Sequence, residues 1–169
     1  MRNFVSIAAL SLGGLWIAGC GGGDDACASA AFPGAPAGAK GSLYVSADCP
    51  ATGADGTKDH PFSKISDAIA RSNAGDAILV AAGTYEENLA IDHDLSIVGP
   101  STKGKKGDDA GIILQSPSPD AIVATSGDVT LTGFDVSGAA GVGVFAKGGA
   151  VTFVESKVEH TKSANGTAY

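Results

Sequence analysis

An all-β solenoid, a chain coiling through short parallel strands, is the fold class this sequence predicts, and three observations predict it. After Gly75 the chain breaks into short apolar runs divided by Gly, Asp, Ser and Pro: AILVAA, NLAI, LSIVG, GIILQS, AIVAT, VTLTGFDVSG, VGVFA and VTFVESKVEH. Runs this short and this rich in β-branched residues cannot support helices. Next, GDVTLTGFDVSG from Gly127 aligns with GAVTFVESKVEH from Gly149, 22 residues further on. Val129 then coincides with Val151, Leu131 with Phe153 and Val136 with Val158. Last, DLSIVG at 94–99 matches DVTLTG at 128–133, with a longer insertion between. A period near twenty residues built of short strands is the signature of coils stacking on one another. An antiparallel β-sandwich is the alternative, but the repeat spacing and the scarcity of two-residue hairpin turns speak against it.

At the start, MRNFVSIAALSLGGLWIAGC places a basic Arg2 before an apolar stretch from Phe4 to Ala18 and small residues ahead of Cys20. That is the layout of a secretory signal, since the apolar part is short for a spanning helix. IAGC resembles the lipobox of bacterial lipoproteins. The resemblance implies cleavage of residues 1–19 and a lipid-modified Cys20, anchoring an extracytoplasmic protein without a spanning helix. Gly21 after that cysteine favours the outer membrane or cell surface. Of the three cysteines, Cys27 and Cys49 then remain as an even pair that a disulfide could join in an oxidising compartment. Metal binding by two such separated cysteines is not expected.

Residues 20–41 are rich in Gly, Ala and Pro and read as a flexible linker. The folded domain is expected over 42–169, opening with a strand at SLYVSADC, where Leu43 and Val45 alternate with polar residues. In PFSKISDAIARSNAGD the period changes. Phe62, Ile65, Ala68 and Ile69 fall on one helical face, with Pro61 suited to the first turn and Gly75 to the stop. In the coils that follow, inward side chains stack as apolar ladders, strands bond to neighbours about 4.8 Å away, and Gly and Asp mark the corners.

Charge excludes one class of partner. The chain has 11 basic and 18 acidic residues, net −7, and loses Arg2 with the leader. Nucleic acid calls for clustered Lys and Arg, and the one basic cluster, KGKK at 103–106, is followed at once by GDD.

Residues 44–99 also carry a resemblance. YVS at 44–46, Gly56–Thr57, Pro61–Phe62, Ile65, Ala68–Ile69, Gly75–Asp76, GTYEE at 83–87 and Leu95–Gly99 together resemble the opening of right-handed parallel β-helix proteins of the pectin lyase-like group. The resemblance covers about a third of the chain and implies a right-handed helix of strands whose N-terminal end is capped by the α-helix. A cap is physically required, because an uncovered end exposes strand edges. Since HTKSANGTAY stops inside what reads as a further coil, the chain is expected to be the N-terminal part of a longer protein.

Catalytic members of that group carry acids that hold Ca²⁺ and a basic residue, or aspartates on one strand face. Candidates here are few. Glu86 and Glu87 are neighbours on extended backbone, so their side chains should point apart and serve the frame rather than a paired-acid reaction. Asp92 and Asp94 share one side of an extended stretch and are the weak candidates for a cation, more often polar corner residues. Asp108 and Asp109 lie in a Gly-rich loop, Asp135 should face outward without an evident partner, and His160 reads as a corner side chain. No Arg follows Arg71, and no position matches a family catalytic motif. Catalytic and cofactor-binding residues are therefore expected to be none, with Ca²⁺ relevant only to an enzyme. The expected function is a lipid-anchored envelope scaffold or a module binding glycans or other envelope components. The alternatives are the N-terminal portion of a polysaccharide lyase or pectinesterase-like enzyme, or an adhesion protein associating end to end.

Overall fold

In a computed structural model, the residues described are 27, 30–101, 111–117, 120–137 and 143–158. They form an all-β structure of parallel strands with one short helix. Residues 30–41 contain no helix or strand; Phe32 lies edge-on against Tyr44, ring centres 5.1 Å apart.

After β1 (Ser42–Val45) and α1 (Ile65–Arg71), the chain visits three sheets in rotation. β2 (Asp76–Val80), β5 (Leu95–Val98), β8 (Val129–Thr132) and β11 (Val151–Val154) extend from β1 as one five-stranded sheet. β3 (Gly83–Tyr85), β6 (Ile112–Gln115), β9 (Phe134–Ser137) and β12 (Lys157–Val158) form the second, and β4 (Leu89–Ile91), β7 (Ile122–Ala124) and β10 (Val144–Ala146) the third. Every pairing is parallel. A chain that returns to the same sheet once per turn, always in the same direction, fits a β-helix.

The register follows the sequence repeats. Val129 pairs with Val151 and Leu131 with Phe153, while Leu95 pairs with Val129 and Ile97 with Leu131. Each inward position therefore meets its counterpart in the next winding. Ile78, Ile97 and Leu131 are fully buried along one such row. Burying a Leu or Ile side chain stabilises by roughly 1.5–3 kcal/mol, so the rows supply the main drive for stacking.

The corners divide two runs that read as single strands in the sequence. VTLTGFDVSG becomes β8 and β9 in different sheets, turned at Gly133 with φ +74°. There a Cβ would stand 2.5 Å from the Pro100 carbonyl oxygen, so only glycine fits. VTFVESKVEH divides the same way, and Glu155 takes the left-handed corner, φ 49°.

The helix is shorter than the sequence pattern suggests. Phe62 lies outside it, because its N–H donates to Tyr44 O (2.9 Å) and its carbonyl accepts from Ser46 N (2.8 Å). The residue thus extends the β1 ladder. Ile65, Ala68 and Ile69 form the buried face, and α1 packs against β1, β2 and β4.

Candidate functional site

Between α1 and the paired strands β4 and β7 of successive windings runs an open groove of about 640 Å³. Ser66, Ser72, Asn88, Asp92, His93 and Thr125 bring its polar groups together. Ser72 ends the helix, and its backbone N–H and hydroxyl both reach Ile69 O, at 3.2 and 2.8 Å. Its Oγ also lies 2.9 Å from His93 Nε2. On the other side of the ring, Nδ1 stands 2.7 Å from Asp92 Oδ1. A hydroxyl, an imidazole and a carboxylate thus lie in one hydrogen-bonded line.

Asp92 and His93 occupy the corner after β4, and the next winding pins that corner. Thr125 Oγ1 donates to Ile91 O at 3.3 Å and Ser126 Oγ donates to Asp92 O. Asp92 is exposed and His93 half-buried. The hydrogen bond to His93 is the largest cause holding the Asp92 carboxyl below its ordinary value, and charge attraction to the same ring adds to it. An ionised carboxylate only accepts hydrogen bonds, so in a neutral ring it selects the tautomer with hydrogen on Nδ1 and a bare Nε2 facing Ser72.

Asp94 has a different task. Its Oδ1 accepts the N–H of Asp128 (2.8 Å), and Asp128 Oδ1 accepts that of Ala150 (3.1 Å). Each carboxylate links one winding to the next. Asp92 and Asp94, the sequence candidates for a cation, are thus committed to an imidazole and to a backbone amide respectively. Among the described residues, no three Asp, Glu, His or Cys side chains gather as a metal site.

Glu86 and Glu87 point apart. Glu86 is exposed, whereas Glu87 is buried and takes Ile65 N–H on Oε1 (2.7 Å) and Ser66 N–H on Oε2 (2.9 Å). The hydroxyl of Tyr85 donates to Ala81 O (3.0 Å) and accepts from Ala47 N (3.3 Å). Asp135 lies in the row Thr84, Ile113, Asp135, Lys157, so the register sets a lysine beside it. Cys27 and Cys49 are joined by a disulfide, Cα atoms 5.3 Å apart. Cys20, residues 103–106, Asp108, Asp109 and His160 lie outside the described residues.

Asp92 is legible in the sequence as a polar candidate, but its alignment with Ser72 through His93 is not. Those two elements are brought together only when α1 docks on β4, and no local motif signals that. The described residues contain no helix long and apolar enough to cross a membrane.

Among the described residues, parallel strands in three sheets with one short helix make an all-β structure, an arrangement that fits a β-helix. Residues 51–144 match a family described as a protein of unknown function, DUF1565, a family associated with parallel β-helix proteins. The match spans more than half of the chain, which belongs to that family. Comparisons with curated proteins and with solved structures give no match.

Proposed function

We propose that this chain is a lipid-anchored envelope protein whose right-handed parallel β-helix, capped by α1, is a scaffold that binds uncharged glycan. One observation carries the binding reading. β5, β8 and β11 alternate inward and outward, so Ser96, Val98, Thr130, Thr132, Thr152 and Val154 line one outer face. On a chain with net charge −7, those six side chains carry none. Hydroxyl and methyl groups repeat there at about 4.8 Å from strand to strand. Such a face offers hydrogen bonds to sugar hydroxyls and methyl contacts to the C–H faces of the rings. An extended neutral polysaccharide could lie along it without desolvating a charge.

Glycan-array binding of the mature domain, repeated with Thr130→Lys and Thr152→Lys, tests this reading. Neutral glycans should bind, and each lysine should weaken binding at least tenfold while the thermal midpoint is kept. Indifference to both substitutions would remove the face from the account. Anchoring is tested separately by incorporation of labelled fatty acid, which Cys20→Ser should abolish.

A further inference from the structure

We propose that Ser72 is a nucleophilic serine, with His93 as its base and Asp92 as the residue that orients the base, forming a site for hydrolysis of short-chain carboxylic esters. The proposal goes beyond glycan binding and does not depend on it, since the groove and the outer face of β5, β8 and β11 are different surfaces.

Nucleophilic catalysis at serine needs a base within hydrogen-bond reach of the hydroxyl and a third group that holds the base. Here the distances are 2.9 Å from Ser72 Oγ to His93 Nε2 and 2.7 Å from His93 Nδ1 to Asp92 Oδ1. Asp92 keeps the Nδ1 hydrogen, leaving Nε2 able to take the proton of Ser72. Ile69 O competes for that proton at 2.8 Å, but it already receives the backbone N–H of Ser72. Turning the hydroxyl toward His93 therefore leaves no carbonyl unpaired. The two arrangements differ by one hydroxyl rotation.

Both ring nitrogens of His93 are engaged, and the ring lines an open groove instead of being sealed beneath the helix. Exposed Ala70 and Ala90 lie on the same groove. Small methyl groups beside an open nucleophile suit a short acyl chain. The exposed Asp92 carboxylate disfavours an anionic substrate there.

The reaction balances without a cofactor. Ser72 Oγ forms a bond to the ester carbonyl carbon as its proton passes to His93 Nε2. The C–O bond to the alcohol breaks, and that alcohol leaves with the proton from Nε2. Water then adds to the acyl group on Ser72, giving a proton to His93. The bond from acyl carbon to Oγ breaks, and Oγ recovers its proton as the acid departs. The sum is ester and water to acid and alcohol.

The test uses the full chain with diisopropyl fluorophosphate, peptide mass spectrometry, and 4-nitrophenyl acetate hydrolysis. One equivalent of phosphoryl group is expected on Ser72, with release of nitrophenol that the labelling abolishes. His93→Gln should slow both by about 100-fold or more, the range of a general base. Asp92→Asn should slow both by about tenfold or more, and Asp92→Glu should recover part of the loss, which a merely structural carboxylate would not do. Ser72 also closes the helix, so the His93 and Asp92 variants, checked by circular dichroism, keep the test independent of folding. Absence of label on Ser72, or labelling indifferent to His93→Gln in a folded protein, would overturn the proposal. Glycan binding should be unchanged in these variants, so the two readings fail separately.

Discussion

Glu87 closes the first turn of a helix that lies 22 residues before it. Its two carboxylate oxygens take the N–H groups of Ile65 and Ser66, at 2.7 and 2.9 Å. The residue at the helix's own capping position, Lys64, gives the helix no side-chain capping hydrogen bond. A helix start buried without an acceptor would leave donors unpaired. The helix is thus fastened to the corner after β3 by a single buried acid.

Replacing Glu87 by Ala should accordingly lower stability by about 2 kcal/mol, the range for losing a cap and charge-assisted hydrogen bonds. Glu87→Gln should lose roughly half of that, since it keeps one acceptor oxygen. Glu86→Ala, at the exposed neighbour, should change stability by less than about 0.5 kcal/mol. Denaturant midpoints of the three variants check the ordering.

The second expectation separates conformational strain from close approach at two glycines. Gly149 has φ +77°, and a Cβ there would meet Gly127 O at 1.8 Å. Gly53 has φ +80°, with nothing within 4 Å of such an atom. Gly53→Ala should therefore cost about 1–2 kcal/mol from the left-handed backbone alone. Gly149→Ala, which forces two windings apart, should cost more than about 3 kcal/mol. Equal losses in thermal unfolding would show that the windings do not approach as described.

Alkaline pH should act through Tyr85. Burial, the largest cause, pushes its phenol well above the ordinary value of 10.0, and the charges of Asp48 and Glu87 push the same way. A raised folded value means stability that is complete below the ordinary phenol range and declines as pH rises through it, because only the unfolded chain ionises readily. Wild-type stability should fall above about pH 10, and more steeply than that of Tyr85→Phe. The variant itself should lose about 1 kcal/mol at neutral pH with the bonds to Ala81 and Ala47. Parallel pH curves for the two proteins would contradict this.

Reduction of the Cys27–Cys49 bridge releases a loop of 22 residues. Loop entropy of that length corresponds to about 3 kcal/mol. Unfolding with and without reductant should differ by that order, and Cys27→Ser should reproduce the reduced behaviour.

Much of the stacking was legible because it is written as repetition. The 22-residue offset that pairs Val129 with Val151 also pairs Asp135 with Lys157, so even that lysine could have been found by alignment. The inward row through Leu95 and Ile97 was visible in DLSIVG for the same reason. β3 was not legible as a strand, since three residues, Gly83–Tyr85, are too few to show alternation. Phe62 has the spacing of a helical residue, but its backbone bonds go to β1, and tertiary pairing overrides the pattern. The groove was the least legible part. Ser72 and His93 lie 21 residues apart on elements of different type, and only the docking of α1 puts them in contact. Glu87 was readable as a frame residue, but its helix-capping role needs the same docking.

The central claim is that successive windings lie directly on one another in the register of the repeat. Oxidative cross-linking of paired cysteines on the outer face tests it most directly. Thr130 and Thr152 are register partners, at the strand spacing of about 4.8 Å that a disulfide can bridge. Thr130→Cys with Thr152→Cys should close rapidly in the folded protein, and Thr130→Cys with Val154→Cys, two residues out of register, should not. Preferential closure of the second pair, or of neither, would contradict the stacking on which the whole account rests.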